Sequence, residues 1–384
     1  MSLSAIAIYL IACHGGPADH FATFAEKLVE DGYEVQVCAS GAALEKFQDR
    51  KIQVQMPFNP DNLSKAQEAD LASQIAKICS KASVVLTDVG HSFDVTLQKA
   101  LAVDAPELLR LAYYDNPEPY VPGGYSGVAA EVMWVAKKVL FANANLENHS
   151  LYQQTNVETK LPIEDRVGIG YYSVEQAEKI AAKRLDSHDA MRAQLFSKHG
   201  LEEKRQKVLV YFGGCNEEYF KNALPAFLGF LSEGMNHADL SNIVVVMQQH
   251  PRAKIKNTDG QQIGTWIKEH SAIATAPKMI VSDGTSDDVQ LFADGALYYQ
   301  TSMSPQFALA GIPMVQVGHE TYEDALVKDG LCPSVTCASD FVKAVQEIKP
   351  VTVSEEMRRT IYKSLGIRED WYQILKQALT DTKK

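Results

Sequence analysis

The residues with the most chemistry to offer lie where apolar runs stop. Thr301, Ser302 and Ser304 follow the apolar run 296–299 and sit where a helix would begin. Their hydroxyls, the unpaired N–H groups and the positive end of a helix dipole make a seat for an anion. Near the N-terminus the run 5–12 ends in His14, Gly15 and Gly16, with His20 shortly after. Glycines without a Cβ let a phosphate or sugar approach a helix N-terminus closely, and an imidazole titrates near neutral pH. Asp88 and His91 end another run, 83–89. There they can pair as acid/base and orienter, or Asp88 can cap the helix expected at 93–101. Asp115 and Glu118 open the stretch 115–125, whose prolines, glycines and tyrosines read as a rigid loop over a cleft. Either carboxylate is a candidate general base, and the tyrosines can stack on a sugar ring.

Such groups need strands to deliver them. The run 5–12 lacks polar alternation, as strands covered on both faces do, and further strands are expected at 34–38, 52–54, 83–89, 108–114, 138–142 and 167–170. Helical patterns at 21–31, 42–47, 63–82, 93–101 and 128–136 separate them, which is the rhythm of a doubly wound parallel sheet. The rhythm restarts with strands at 207–212, 243–248, 279–282 and 296–299, and helices end the chain. The 384 residues therefore divide into a first α/β domain at 1–170, a polar connecting helix within 171–205, a second α/β domain at 206–350 and terminal helices at 351–384.

A net charge of −11 with no basic run argues against a nucleic-acid partner. Cys13, Cys38, Cys79, Cys215, Cys332 and Cys337 are dispersed without CxxC spacing, so buried free thiols in a reducing cytosol are expected rather than disulfides or zinc. No run reaches the roughly 18 apolar residues of a membrane span, and the first run lacks a basic leader. A cytoplasmic protein with at most peripheral membrane contact is expected. P-loop, GxSxG, EF-hand and D-x-D elements are absent, and GxGxxG with them.

The segment Ser302-Met303-Ser304-Pro305-Gln306, followed by Ala310-Gly311-Ile312-Pro313, resembles the nucleotide-diphosphate half-site of the GT-B glycosyltransferase superfamily. The resemblance implies two Rossmann-like domains facing a cleft, with terminal helices crossing back over the first. In that family an acidic residue five positions before the glycine holds the ribose; Gln306 stands there, able to accept from a hydroxyl but uncharged. Read without the family, Ala-Gly-x-Pro is a helix C-cap followed by a strand. Gly15, Gly16 and His20 look like the acceptor-facing glycine loop of MurG-type members, with the imidazole as base. Gly213 and Gly214 are similar to a small-residue turn that contacts the diphosphate. His250-Pro251-Arg252 resembles the His-Pro element of capsule-type, sialyl and glycerophosphate transferases, where imidazolium and guanidinium suit a departing diphosphate without a metal. Glu320, at the head of a segment spaced like Asp-Gln-x-x-Asn-Ala…Gly, is the implied contact to the donor sugar.

The implied activity is transfer of a sugar from a nucleotide-diphosphate-sugar, UDP-linked, to the hydroxyl of a carbohydrate or lipid-linked acceptor, with no metal or other cofactor. His20, Asp88 or Asp115 would be the base, and Arg252, Thr301, Ser302 and Ser304 would hold the leaving group. One alternative is a non-hydrolysing UDP-GlcNAc 2-epimerase, using Asp88, Asp115 and Glu118 but lacking the expected Thr-Glu-Arg-Pro-Glu element. The other is a GT-B-fold binding protein that has lost catalysis, as Gln306 and the altered 320–324 segment suggest.

Overall fold

The computed structural model describes residues 6–118, 125–148, 163–202, 207–250, 253, 259–320 and 324–380. They divide into one unit of Met1–Ser173 with Leu365–Lys384 and another of Val174–Ser364.

The first unit is a seven-stranded sheet of β1 (Ala7–Ala12), β2 (Glu34–Ser40), β3 (Met56–Phe58), β4 (Val84–Thr87), β5 (Leu109–Tyr114), β6 (Lys138–Phe141) and β7 (Arg166–Gly168), in the order β3-β2-β1-β4-β5-β6-β7. Every pairing is parallel, with Ile8 level with Val84 and Ile11 with Thr87. The central strands β1, β4 and β5 are buried almost throughout because helices α1 (Gly15–Glu30), α2 (Gly41–Asp49), α3 (Lys65–Cys79), α4 (Ser92–Asp104) and α5 (Tyr125–Val135) cover the sheet. Ile8, Leu10, Val84, Val85 and Leu111 are fully buried. Each such side chain stabilises the fold by about 1.5–3 kcal/mol relative to exposure.

The second unit opens with α6 (Val174–His199) and builds a six-stranded sheet from β8 (Lys207–Phe212), β9 (Ile243–Gln248), β10 (Lys278–Val281), β11 (Gly295–Tyr298), β12 (Met314–Val317) and β13 (Ser334–Val335). Its order, β10-β9-β8-β11-β12-β13, repeats the first, again with every pairing parallel. The helices α7 (Leu224–Gly234), α8 (Gly260–His270), α9 (Ser286–Phe292), α10 (Ser304–Leu309), α11 (Ala325–Lys328), α12 (Ala338–Glu347) and α13 (Glu355–Ser364) complete it, and α14 (Trp371–Thr380) belongs to the first unit. Doubly wound sheets with this order bind ligands outside the strand carboxyl ends, where successive connections leave in opposite directions. Those switch points fall between β1 and β4 and between β8 and β11.

Two expected boundaries move. The helix expected to connect the domains is an integral part of the second unit. Arg184 on α6 donates to the carbonyls of Gln290 and Ala293, which closes the end of α9, and Arg192 pairs with Asp294. The terminal segment 351–384 is divided as well, because α14 packs Trp371 on Tyr171 with ring centroids 4.2 Å apart. Tyr372 on the same helix donates to the Lys27 carbonyl at 2.7 Å. That return is possible because Gly170 and Gly366 adopt φ of +74° and +59°, and a Cβ on Gly366 would lie 2.5 Å from Asn143 Oδ1.

Candidate functional site

β1 and β4 deliver their carboxyl ends side by side at the first switch point, and a buried polar network closes them. Asp88, just beyond β4 and fully buried, accepts from the backbone N–H of Cys13 and of His14, each at 2.9 Å on Oδ2. The same oxygen lies 3.0 Å from His14 Nδ1, while the His14 side chain keeps 22% of its exposure. His14 is the N-cap of α1 yet makes no side-chain cap bond, so its ring is left to Asp88. Asp88 does not serve as the cap of α4. That role belongs to His91, whose Nδ1 accepts from Phe93 N–H at 3.0 Å, and to Asp94, which accepts from His91 N–H at 2.8 Å.

The same network has two members with no sequence signal of function. The Cys13 thiol donates to Asp94 Oδ1 at 3.4 Å, and both residues are buried. Burial would raise Asp88, but the His14 side chain and the Cys13 N–H hold it below the usual carboxylate range. Burial, then the adjacent charge of Asp88, push Asp94 well above that range. Burial, then Asp94 and Asp88, raise the Cys13 thiol in the same way. The x-x-Asp spacing of a capping box was the only hint of Asp94 in the sequence.

The expected base His20 sits elsewhere, in the second turn of α1 and half-buried among aromatic rings. Its Nδ1 lies 2.6 Å from Tyr113 Oη, and Tyr171 meets it edge-on at 5.0 Å. Burial lowers its pKa to about 4, so the ring is neutral and only a weak base at neutral pH. Asp115 follows β5 and Glu118 lies three residues on, both buried, with Tyr114 donating to the Glu118 carbonyl at 2.6 Å. The rest of that loop, 119–124, lies outside the described residues. Gly15 opens α1, and a Cβ there would meet Ala42 Cβ at an ordinary 3.6 Å, so packing does not demand the glycine. Gly16 beside it is exposed.

At the second switch point the glycines have a different reason to be there. A Cβ on Gly213 would lie 2.7 Å from Tyr219 Oη, and one on Gly214 would lie 2.9 Å from the Tyr219 ring. The turn after β8 is therefore shaped around a buried tyrosine, which starts a π-helical turn at Tyr219–Ala223. After β11, Thr301 Oγ1 accepts from Met303 N–H at 3.2 Å and Ser304 Oγ donates to the Thr301 carbonyl at 3.4 Å. Ser302 is exposed, and α10 begins at Ser304 with Gln306 half-buried in its first turn. Gly311 ends α10 with φ of +69°, which is the C-cap role the sequence also allowed. Glu320, past β12, accepts from Tyr299 at 3.4 Å and lies 3.8 Å from His319, whose Nε2 also pairs with Glu218 at 3.0 Å. His250 lies two residues beyond β9, and Arg252 lies outside the described residues.

Two groups among the described residues bring ligand atoms within 4.8 Å of one another and could hold a metal ion: Cys13 with Asp88 and Asp94, and Glu218 with His319 and Glu320. In the second, His319 Nε2 lies 3.0 Å from Glu218 and 3.8 Å from Glu320.

Two Rossmann-like sheets of the same order, in one chain, make this a GT-B fold. The solved structures it is similar to carry that assignment. UDP-GlcNAc 2-epimerase from Neisseria meningitidis, bound to UDP-GlcNAc, superposes with a TM-score of 0.67 at 11% identity, covering 97% of this chain and 99% of that one. The epimerase from Methanocaldococcus jannaschii, in complex with UDP-GlcNAc and UDP, gives 0.65 at 11%, covering 93% and 98%. A glycosyltransferase from Rickettsia africae ESF-5 gives 0.62 at 12%, covering 98% and 100%. No family model and no curated protein matches the chain. No helix among the described residues is long and apolar enough to cross a membrane.

Proposed function

We propose that the protein is a glycosyltransferase that moves a sugar from a UDP-linked donor to an acceptor hydroxyl, with His14 as general base and Asp88 as its orienting partner. The observation that carries this reading is the 3.0 Å contact between His14 Nδ1 and a fully buried Asp88 at the first switch point. An ionised Asp88, already accepting two backbone N–H groups, favours a proton on Nδ1 and leaves Nε2 free to accept one from an acceptor hydroxyl. As the acceptor oxygen attacks the anomeric carbon, the bond to the nucleotide diphosphate breaks and the hydroxyl proton passes to Nε2. The donor side is assigned to the second unit, where Thr301, Ser302, Ser304 and His250 stand beyond the strand ends, with Gln306 and Glu320 as sugar contacts. Arg252 joins them as an expected diphosphate contact.

A second reading is favoured by one observation, the burial of two carboxylates, Asp115 and Glu118, directly after β5. Paired carboxylates suit the elimination and re-addition of a UDP-GlcNAc 2-epimerase, the activity named for two of the similar structures. One experiment separates the two. UDP, GDP, CDP and CMP sugars are first screened by thermal shift, where a ligand at 100 times its Kd stabilises by about 2.7 kcal/mol. Stabilising sugars are then incubated with and without acceptor extracts and followed by NMR. Acceptor-dependent release of the nucleotide supports transfer, and inversion at C2 without acceptor supports epimerisation.

A further inference from the structure

The head of α8 carries a carboxylate that its own helix does not use. Asp259 occupies the N-cap position of α8, yet its side chain makes no cap bond and the residue is fully buried. An aspartate at that position ordinarily accepts from the first turn of its helix, and one shut off from water is uncommon. Both of its oxygens are committed to other loops instead. Oδ1 accepts from Gln249 Nε2 at 2.6 Å, and Gln249 immediately precedes His250 beyond β9. Oδ2 accepts from Tyr219 Oη at 3.5 Å, and Tyr219 is the ring around which Gly213 and Gly214 are shaped. Burial, then Tyr211 and Asp259, raise the Tyr219 phenol, so it stays a donor.

Neighbouring bonds tie the same three segments together. Gln262, in the first turn of α8, donates to the Phe220 carbonyl at 3.0 Å, and Gly213 N–H donates to the Gln248 carbonyl at 3.0 Å. The turn after β8, the segment after β9 and the head of α8 therefore form one hydrogen-bonded clamp, with Asp259 as the member that touches both other parts. Tyr219 opens a π-helical turn, a rare geometry found mostly at functional sites.

We propose that Asp259 is a positioning residue for the donor, setting the glycine turn through Tyr219 and the His250 segment through Gln249. The link to the donor rests on the second unit being the donor side; the clamp itself does not. Two loops held in place before the ligand arrives need no ordering on binding, and that preorganisation strengthens affinity. Without Asp259 both loops must be ordered by the nucleotide. The loss then falls on Kd and on the donor KM, while kcat, set by the first unit, is kept.

The test uses the full-length protein. Hydrogen–deuterium exchange without ligand reads the loops, and calorimetry with UDP reads the seat. In Asp259→Leu, exchange at 213–218 and 248–250 is expected to rise about tenfold while the first unit is unchanged. The UDP Kd and the donor KM rise about 10–30-fold, with kcat within about threefold of the parent. Asp259→Asn rescues, because its oxygen accepts from Tyr219 and its amide donates to a turned Gln249, and it holds Kd within about threefold. Tyr219→Phe removes one arm and falls between the two. Unchanged exchange at both loops in Asp259→Leu, a lowered melting temperature with UDP affinity intact, or a fall in kcat with KM held would overturn the proposal. If Asp259→Leu does not fold, Tyr219→Phe combined with Gln249→Ala removes both arms, and an unchanged Kd there overturns it equally. Failure of the parent to bind UDP or any nucleotide sugar would sink the donor reading, and the exchange data then decide the clamp alone.

Discussion

The two sheets share one strand order yet fill the gap beside their leading strand in opposite ways. Beyond β1 and β4 the first unit buries charge, with a carboxylate gripped by two N–H groups and an imidazole. Beyond β8 and β11 the second unit buries a tyrosine ring against two glycines, its hydroxyl donating to the buried Asp259 at 3.5 Å, and leaves Thr301 and Ser302 at or near the surface while Ser304 is buried. Buried charge is expensive, and a fold keeps it where a proton has to be held or moved. A glycine turn backed by a ring offers backbone and hydroxyls, which suits holding an anion. The contrast is in keeping with the proposed division, with acid–base work in the first unit and donor binding in the second.

The largest effect expected from breaking that contrast is at His14. His14→Ala is predicted to lower kcat/KM by about 10²–10⁴-fold in a nucleotide-release assay while leaving the thermal shift by UDP unchanged. Asp88→Asn removes the anion but not the shape. A loss of about 10²-fold in kcat with little change in KM is expected, since a neutral amide no longer stabilises the imidazolium that forms.

His20 gives a pH signature instead of a rate. Its folded pKa of about 4 lies below the unfolded value of 6.5, so between the two the unfolded chain binds more protons. Stability contributed by the neutral ring is therefore present above about pH 6.5 and lost as pH falls toward 4, by up to about 3 kcal/mol. Urea melts at acidic and neutral pH should show that loss shrink in His20→Phe, and an unchanged slope would contradict the placement of the ring.

The smallest effect tests the second unit. Gly213→Ala is expected to cost about 2 kcal/mol because its Cβ meets Tyr219 Oη, whereas the next ring atom is 3.3 Å away. Adding Tyr219→Phe should recover at least half of it, about 1 kcal/mol, in a double-mutant cycle. No recovery would mean that the glycine is there for something other than the tyrosine.

How far the sequence could be read follows from where each signal is stored. Strands such as Lys207–Phe212 and Ile243–Gln248 were legible to the residue because parallel strands buried on both faces write continuous apolar runs. Two of the four edge strands were not: β3 lies at Met56–Phe58 rather than 52–54 and contains Pro57, and the two-residue β13 left no run at all. α1 begins at Gly15 rather than 21, because glycines and a proline hid a first turn whose only marker is His14. At the site, Asp88 and His14 were visible as polar residues at strand ends, but their pairing was not, since 74 residues separate them. Asp94 showed only as a cap spacing and Cys13 only as an expected buried thiol. A capping aspartate and a buried thiol look alike in sequence whether or not they share a hydrogen-bond network.

Nucleotide release from a stabilising UDP sugar, measured with and without acceptor for the parent protein and for His14→Ala, bears on the account most directly. The prediction is acceptor-dependent release in the parent that falls at least 10²-fold in the variant while UDP binding is kept. Full activity in His14→Ala, or inversion at C2 without any acceptor, would contradict it.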